Sequence, residues 1–320
     1  MSERNFVATF DVEDWFHAEN VQPWLSTSDW NVLEGRVERN THELLDLVED
    51  AGVKSTFFVL GWVARRYPAL VRRIVDDGHE LASHTDTHRK LWSLSARDVE
   101  AELVRSRESL EQVAGTRVLG VRAPNFSISD SVLDSMAEAG YWYDSSFFSL
   151  RAHGTYGRLS CELDPDAPVF EVRPGFLELP MSRVRVGWTE VPWSGGAYFR
   201  LLPFPIFRRG VAARLRRRAW FMFYLHPWEL DSAEVAPAGL PRHRRIRSYA
   251  GRPRVPRDLR GLLGTFGSRR IDETLKSLGY QPPPPPLSPR LRLGQGARPR
   301  MDDTCNSESP GSDRTDAARG

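Results

Sequence analysis

Asp11-Val12-Glu13-Asp14 closes a short apolar run that begins at Phe6, and His84 and His88 follow about seventy residues later as His-x-x-x-His. Two imidazoles and one carboxylate hold a divalent ion with positions left for water and substrate, and a spare carboxylate can deprotonate that water. The histidine pair reaches one ion if its segment is helical or turns just after a strand. A zinc finger is excluded because the chain holds only Cys161 and Cys305. The helical metalloprotease motif is excluded too, since Thr85, Asp86 and Thr87 stand between the histidines and no Glu follows His84. Strand alternation puts Glu13 on the face of Asp11, whereas a chain that has already turned presents Asp14 with its shorter side chain.

These groups need elements to carry them. Phe6–Phe10 reads as a strand delivering Asp11. Val37, Leu44, Leu45, Val48 and Ala51 recur at helical spacing before Gly52, and Thr56–Leu60 is continuously apolar, as a buried parallel strand is. A helix over about 63–77 precedes a strand, Glu80–Ser83, that delivers His84. Ser95 with Asp98 signals a helix start, Val118–Val121 a strand ending at Arg122, Asp130–Ala139 a helix, and Tyr141–Tyr143 a strand ending at Asp144. Strand and helix in alternation with short connections predict a parallel sheet, and each motif falls just after a strand, at the face where β/α barrels gather their sites. The pattern turns irregular over about 151–215, and Trp220–Leu225 returns as a buried strand presenting His226. Helical signals follow at about 257–263 and 271–278. The organisation expected is a barrel over 1–230, an extension packed on it over 231–280, and a Pro-rich tail over 281–320 that lacks aromatics and cannot fold.

With Arg122-Ala123-Pro124, Tyr143-Asp144-Ser145 and Leu225-His226-Pro227-Trp228 added, five clusters stand in the order found in the polysaccharide deacetylases, the NodB-homology carbohydrate esterases, which the chain resembles from roughly residue 6 to residue 230. The resemblance implies a distorted, incomplete (β/α) barrel with a C-terminal extension. It implies Asp11 as base, His84 and His88 as ligands, and a carboxylate of the opening motif as the third. The family's usual pair of adjacent Asp residues is interrupted here by Val12. The family's Asp ligand tips the expectation to Asp14, with Glu13 as alternative. Arg122 is expected to pair with Asp11 and aim it, and Asp144 to wall the site and orient an acid histidine. His226 would be that acid, with Leu225 beside the acetyl methyl group. Pro124, Tyr198 and Trp228 complete the expected substrate contacts. Trp15, Trp92, Trp142 and Trp193 also lie near motifs, and most of these rings read as core. The stretch Ser194–Arg200, taken with Asp11–Asp14 and His226–Glu229, resembles a subgroup associated with bacterial exopolysaccharide production.

The implied activity is metal-dependent removal of N-acetyl groups from a glycan or a lipid-linked sugar. Zinc is the default ion for two His and one carboxylate, with cobalt, nickel or manganese also accommodated. An amidohydrolase acting on a non-sugar amide and a non-catalytic glycan-binding relative are the alternatives. Composition fits a globular enzyme, 40% hydrophobic and 27% charged. A net charge of +2 sets up no global field to recruit nucleic acid. Two arginine-rich stretches, 208–218 and 242–257, read as solvated faces, with contact to an anionic lipid headgroup or a diphosphate-linked sugar as the alternative. Two cysteines, no leader at the start and no long apolar run together predict a cytoplasmic protein, at most peripheral to a membrane.

Overall fold

A computed structural model describes residues 5–25, 27–148, 159–160, 167–218, 220–234, 236–237 and 239–284. Cys161, Cys305 and nearly all of the expected tail lie outside the described residues. The strands in chain order are β1 (Asn5–Val12), β2 (Thr56–Val59), β3 (Glu80–Ser83), β4 (Gly120–Val121), β5 (Tyr143–Asp144), β6 (Phe170–Arg173), β7 (Phe176–Glu178), β8 (Val184–Val186), β9 (Thr189–Val191) and β10 (Trp220–Leu225). Eight of them form one curled sheet in the order β10-β1-β2-β3-β4-β5-β7-β6, parallel except for the β6–β7 hairpin; β8 and β9 pair separately. The sheet does not close, because β10 and β6 are both edges. This is the incomplete mixed α/β barrel that the sequence predicts.

The helices are α1 (Val37–Asp50), α2 (Gly61–Arg66), α3 (Pro68–Asp76), α4 (Ala96–Ala114), α5 (Asp130–Glu138), α6 (Gly196–Leu201), α7 (Phe204–Arg218), α8 (Arg242–Tyr249), α9 (Val255–Phe266) and α10 (Ile271–Ser277). The single helix expected over 63–77 is two, because Pro68 cannot continue a helix and instead starts the next. Ser95 caps α4 as expected, and Ser129 rather than Asp130 caps α5. Among the described residues, no helix is long and apolar enough to cross a membrane.

Strand parity divides the core in two. On β1, Phe6, Ala8, Phe10 and Val12 face the surrounding helices, while Val7 packs inside the barrel. On β10, Phe221, Phe223 and Leu225 face the helices, and Trp220 and Met222 face inward. Period two therefore aims Thr9, Asp11 and Glu13 inward from the first strand and His226 inward from the last. The interior holds Phe58, Trp142, Tyr143, Leu177 and Met181, and at its lower end Ile271 and Leu275 of α10 close it. The start of α10 is tied to the sheet: Ile271 N donates to Thr56 Oγ1 at 2.9 Å and Asp272 N to Glu80 Oε2 at 3.1 Å. Within the C-terminal extension, α10 thus plugs the barrel, while α9 packs outside with the helix-facing core.

Gly120 is a point where this interior admits no side chain, since a Cβ there would meet the Tyr143 ring at 2.1 Å. Tyr143 cannot yield easily, because its hydroxyl donates to Glu80 Oε1 at 2.8 Å. Gly120→Ala should therefore destabilise the fold by about 2 kcal/mol, as overpacking does. Denaturant midpoints for the two proteins will check this, and an unchanged midpoint would contradict the packing described.

Candidate active site

At the C-terminal ends of the strands, Glu13, His84 and His88 bring one carboxylate oxygen and two ring nitrogens within 4.8 Å of one another, all three residues buried. Glu13 leaves the end of β1 on the inward face. His84 follows β3, and its Nδ1 donates to the Arg122 carbonyl oxygen at 2.9 Å, which leaves Nε2 as the lone-pair nitrogen toward Glu13. The His84–His88 segment is a turn rather than a helix, with Thr85 and His88 both at positive φ (67° and 56°). The Glu102 carboxylate fixes that turn, accepting from the backbone N–H groups of Asp86 (3.1 Å) and Thr87 (2.8 Å). Such left-handed non-glycine residues persist only where surrounding contacts over-determine them.

Glu13, and not Asp14, stands with the histidines. Glu13 Oε2 lies 2.5 Å from His88 Nε2 and 4.0 Å from His84 Nε2. Trp228 Nε1 donates to its other oxygen at 3.0 Å, orienting the carboxylate. Burial pushes the Glu13 acid up, but the neighbouring His88, His226 and His84 outweigh it and hold the carboxyl well below its ordinary range. Burial likewise lowers His84 to about 4. Both shifts favour the deprotonated forms that ligate a cation. Asp14 instead caps the turn Trp15–His17, and its carboxylate is taken up by the backbone N–H groups of Trp15 (2.9 Å), Arg36 (2.8 Å) and Val37 (3.1 Å). The expectation for Asp14 is corrected for a simple reason: the extended backbone continues through Glu13 before the chain turns.

Arg122 behaves as expected. It is fully buried and its Nη1 reaches Asp11 Oδ1 at 2.6 Å and Thr9 Oγ1 at 2.8 Å. Nε donates to the Ser145 carbonyl oxygen and Nη2 to Ser145 Oγ, and the guanidinium lies 4.1 Å over the Phe58 ring. On the other side, His226 Nε2 lies 3.9 Å from Asp11 Oδ2 and 3.7 Å from Glu13 Oε1. Its Nδ1 meets Glu229 Oε1 at 2.9 Å, and Arg200 Nε donates to Glu229 Oε2 at 2.5 Å. Burial works against the charged imidazole, yet Glu229, Glu13 and Asp11 raise His226 to about 9. Burial also opposes ionised Glu229, but Arg200 and His226 lower it to about 2.

Asp144 does not take part. It faces out of the barrel and is buried beside Glu178, accepting from Ser146 Oγ at 2.6 Å, and burial raises it to about 6. The orienting carboxylate for the histidine is Glu229, three residues beyond it. Leu225 is also corrected: as an odd-numbered residue of β10 it packs under the helices. Pro124 only starts the turn that puts Ala123, Asn125 and Phe126 on the wall, and Tyr198 is a surface ring. Of the expected substrate contacts Trp228 alone lines the cavity, stacked on His226 with ring centroids 4.8 Å apart. The cavity holds about 370 Å³, within the range of small-molecule sites. Asp11, Glu13, His84, His88 and His226 form its floor, and Glu19, Tyr224, His243, Arg244 and Arg247 also line it.

Sequence reasoning gave no site role to Glu229 and Arg200, and met the arginines of α8 only as part of a basic stretch. A signal existed for the first two. A Cβ at Gly196 would meet Glu229 Oε1 at 2.1 Å, so the second glycine of Ser194-Gly195-Gly196 makes room for the carboxylate that Arg200 then binds.

The fold and this cluster define a mixed α/β barrel with a Glu-His-His cluster at its mouth that could hold a metal ion. Residues 17–143 match the polysaccharide deacetylase family, and residues 145–276 match a domain of unknown function, DUF3473. The chain therefore carries a polysaccharide deacetylase domain of the NodB type, with a DUF3473 region following. It is 35% identical over 140 residues to a chitooligosaccharide deacetylase of Sinorhizobium fredii, covering 43% of this chain and 64% of that one. It is 30% identical over 101 residues to a peptidoglycan-N-acetylglucosamine deacetylase of Bacillus cereus, covering 32% and 37%. The match thus spans between about one third and two thirds of these relatives. A crystal structure from Mycobacterium smegmatis, described as a polysaccharide deacetylase, shares the fold with a TM-score of 0.58 at 22% identity, over 94% of this chain and 96% of that one.

Separate amide substitutions test the ligand set. Glu13→Gln should lose bound divalent metal, and Asp14→Asn should keep it while lowering the melting temperature through the loss of its charged cap. Metal analysis of the purified variants decides, and full occupancy in Glu13→Gln would overturn the assignment.

Proposed function

We propose that this chain is a metal-dependent hydrolase that removes N-acetyl groups from an N-acetylated sugar within a glycan or a glycan precursor. The observation that carries the reading is the joint placement of Asp11 and His226 on either side of the Glu13, His84 and His88 cluster at the floor of one cavity. Two imidazoles and one carboxylate suit zinc, with cobalt, nickel or manganese compatible. When bound, the ion would supply Lewis acidity for the acetyl carbonyl and acidify a water molecule.

The chain's own residues do the proton work. Asp11 Oδ1 is anchored by Arg122, so Oδ2, the oxygen nearer His226, is the one that accepts the proton of the attacking water. His226 is held protonated by Glu229 at neutral pH and so carries a proton at Nε2, facing the reacting centre. It delivers that proton to the departing amine, which is too basic to leave unprotonated. Trp228 keeps one face of His226 covered and offers an aromatic wall to a sugar ring. The names of the curated relatives support an N-acetylglucosamine-type substrate. The DUF3473 region, with the Ser194–Arg200 and His226–Glu229 stretches, supports a bacterial exopolysaccharide as the class.

Asp11→Asn should retain metal and lose turnover by a factor of ~10² to 10⁴, the usual worth of a general base. His226→Ala should lose far more on an N-acetyl sugar than on an aryl acetate ester, whose leaving group needs no proton. Acetate release from both substrates checks the pair, and equal losses on ester and amide would remove the acid role from His226.

Glu229→Gln tests the relay. Removing the anion that raises His226 lowers its pKa, so the acid form is lost at lower pH. The alkaline limb of the pH–rate profile should move down by about one unit or more relative to the parent protein. An unmoved limb in a folded, metal-loaded variant would mean that Glu229 does not tune the histidine.

A further inference from the structure

Every carboxylate that lines the cavity has a basic side chain beside it. Asp11 is paired with Arg122, Glu13 with His88, Glu229 with Arg200, and Glu19 with Lys90 at 2.6 Å. The arginines at the cavity mouth do not repeat the pattern. Arg244 and Arg247 line the cavity from α8, and neither has a carboxylate partner among the described residues. Among the described residues, the mouth therefore carries uncompensated positive charge above a floor whose charges are internally matched.

The Arg244 side chain and the Arg247 backbone are also held in place. The Arg244 guanidinium lies 4.9 Å over the Trp24 ring, a contact that orients it without neutralising it. Arg200, which binds Glu229 beneath, donates from Nη2 to the Arg247 carbonyl oxygen and from Nη1 to that of Ala250, both at 2.8 Å. One buried guanidinium thus fixes the C-terminal end of α8 relative to His226. Solvated arginines on an ordinary helix face would have no reason to be registered against a catalytic histidine.

We propose that Arg244 and Arg247, with His243 of the same helix, form an anion subsite. On the deacetylase reading above, the preferred substrate then carries a negative group close to its N-acetyl sugar. Guanidinium groups bind both candidate anions, a ring carboxylate on a neighbouring sugar and a phosphate linked to the sugar itself, through charge-assisted hydrogen bonds. A neutral N-acetylglucosamine chain would leave the subsite unfilled.

The test uses the metal-loaded full chain and three probes: the neutral N-acetylglucosamine tetramer, a hyaluronan tetrasaccharide whose N-acetylglucosamine alternates with glucuronate, and UDP-N-acetylglucosamine. Acetate release should favour one anionic probe over the neutral tetramer by roughly fivefold or more in kcat/KM at low salt, what two partly solvated ion pairs supply. The winning probe tells carboxylate from phosphate. In the doubly substituted Arg244→Gln, Arg247→Gln protein that ratio should fall to within about twofold of unity, chiefly through KM. The Arg244→Lys, Arg247→Lys protein, which keeps the charge, should retain most of it. A parent protein that prefers the neutral tetramer, or a glutamine variant that keeps the anionic preference, would overturn the subsite. If no probe releases acetate, the deacetylase reading fails instead, and calorimetry with the same probes decides the subsite. Tighter anionic binding by the parent than by the glutamine variant supports it, and equal binding overturns it.

Discussion

The site depends on a single guanidinium sealed inside a barrel. Arg122 has no exposed surface, and its charge is compensated by Asp11 while Thr9, Ser145 and the Phe58 face occupy its remaining sides. Removing either partner of such a buried pair costs about 3–5 kcal/mol, because the other is left as an unpaired ion in low dielectric. The pair therefore cannot drift apart, and β1, β4 and β5 are pinned together at the site. The same residue acts through its backbone, since its carbonyl oxygen fixes the ring orientation of His84. Asp11 and His84 are thus both positioned by one amino acid.

A second arginine organises the opposite wall. Arg200 sets Glu229, Glu229 sets His226, and Arg200 also holds α8. All of these lie in the region that matches DUF3473, whereas His84, His88 and Arg122 lie in the deacetylase match. The sheet does not respect that division either, because β6, β7 and β10 come from the second region. Both regions line one cavity, together with Asp11 and Glu13, which precede both matches, so neither match contains the complete set of groups.

How much of this was legible in the sequence follows from what each signal can carry. Strand ends, the histidine pair, Asp11, Arg122 and His226 were readable, because an apolar run of fixed period ends in a polar group only where something polar awaits it. Alternation along β1 pointed to Glu13, and preference for the family's residue type pulled the expectation to Asp14; the backbone geometry prevailed. The same parity explains Asp144 and Leu225, both of which face away from the interior. Glu229 was in plain view three residues after His226, but its role depends on Arg200 and on the space left by Gly196. The rim arginines could not be told from solvated ones, since composition reports charge and not the tertiary registration that gives a charge an address.

The plug at the bottom of the barrel has a consequence for how the protein comes into being. Ala8 N donates to Ser268 Oγ across 260 residues of chain, and Ile271 and Leu275 pack against Val7. β1 therefore waits for α10, synthesised some 260 residues later, before its inner face is covered. Until then β1, which also needs β10 on its far edge, is an apolar strand with an open side. Contacts this distant close slowly and leave the nascent chain prone to off-pathway association. Its maturation is the kind that benefits from a chaperone holding the amino-terminal half while the rest is made.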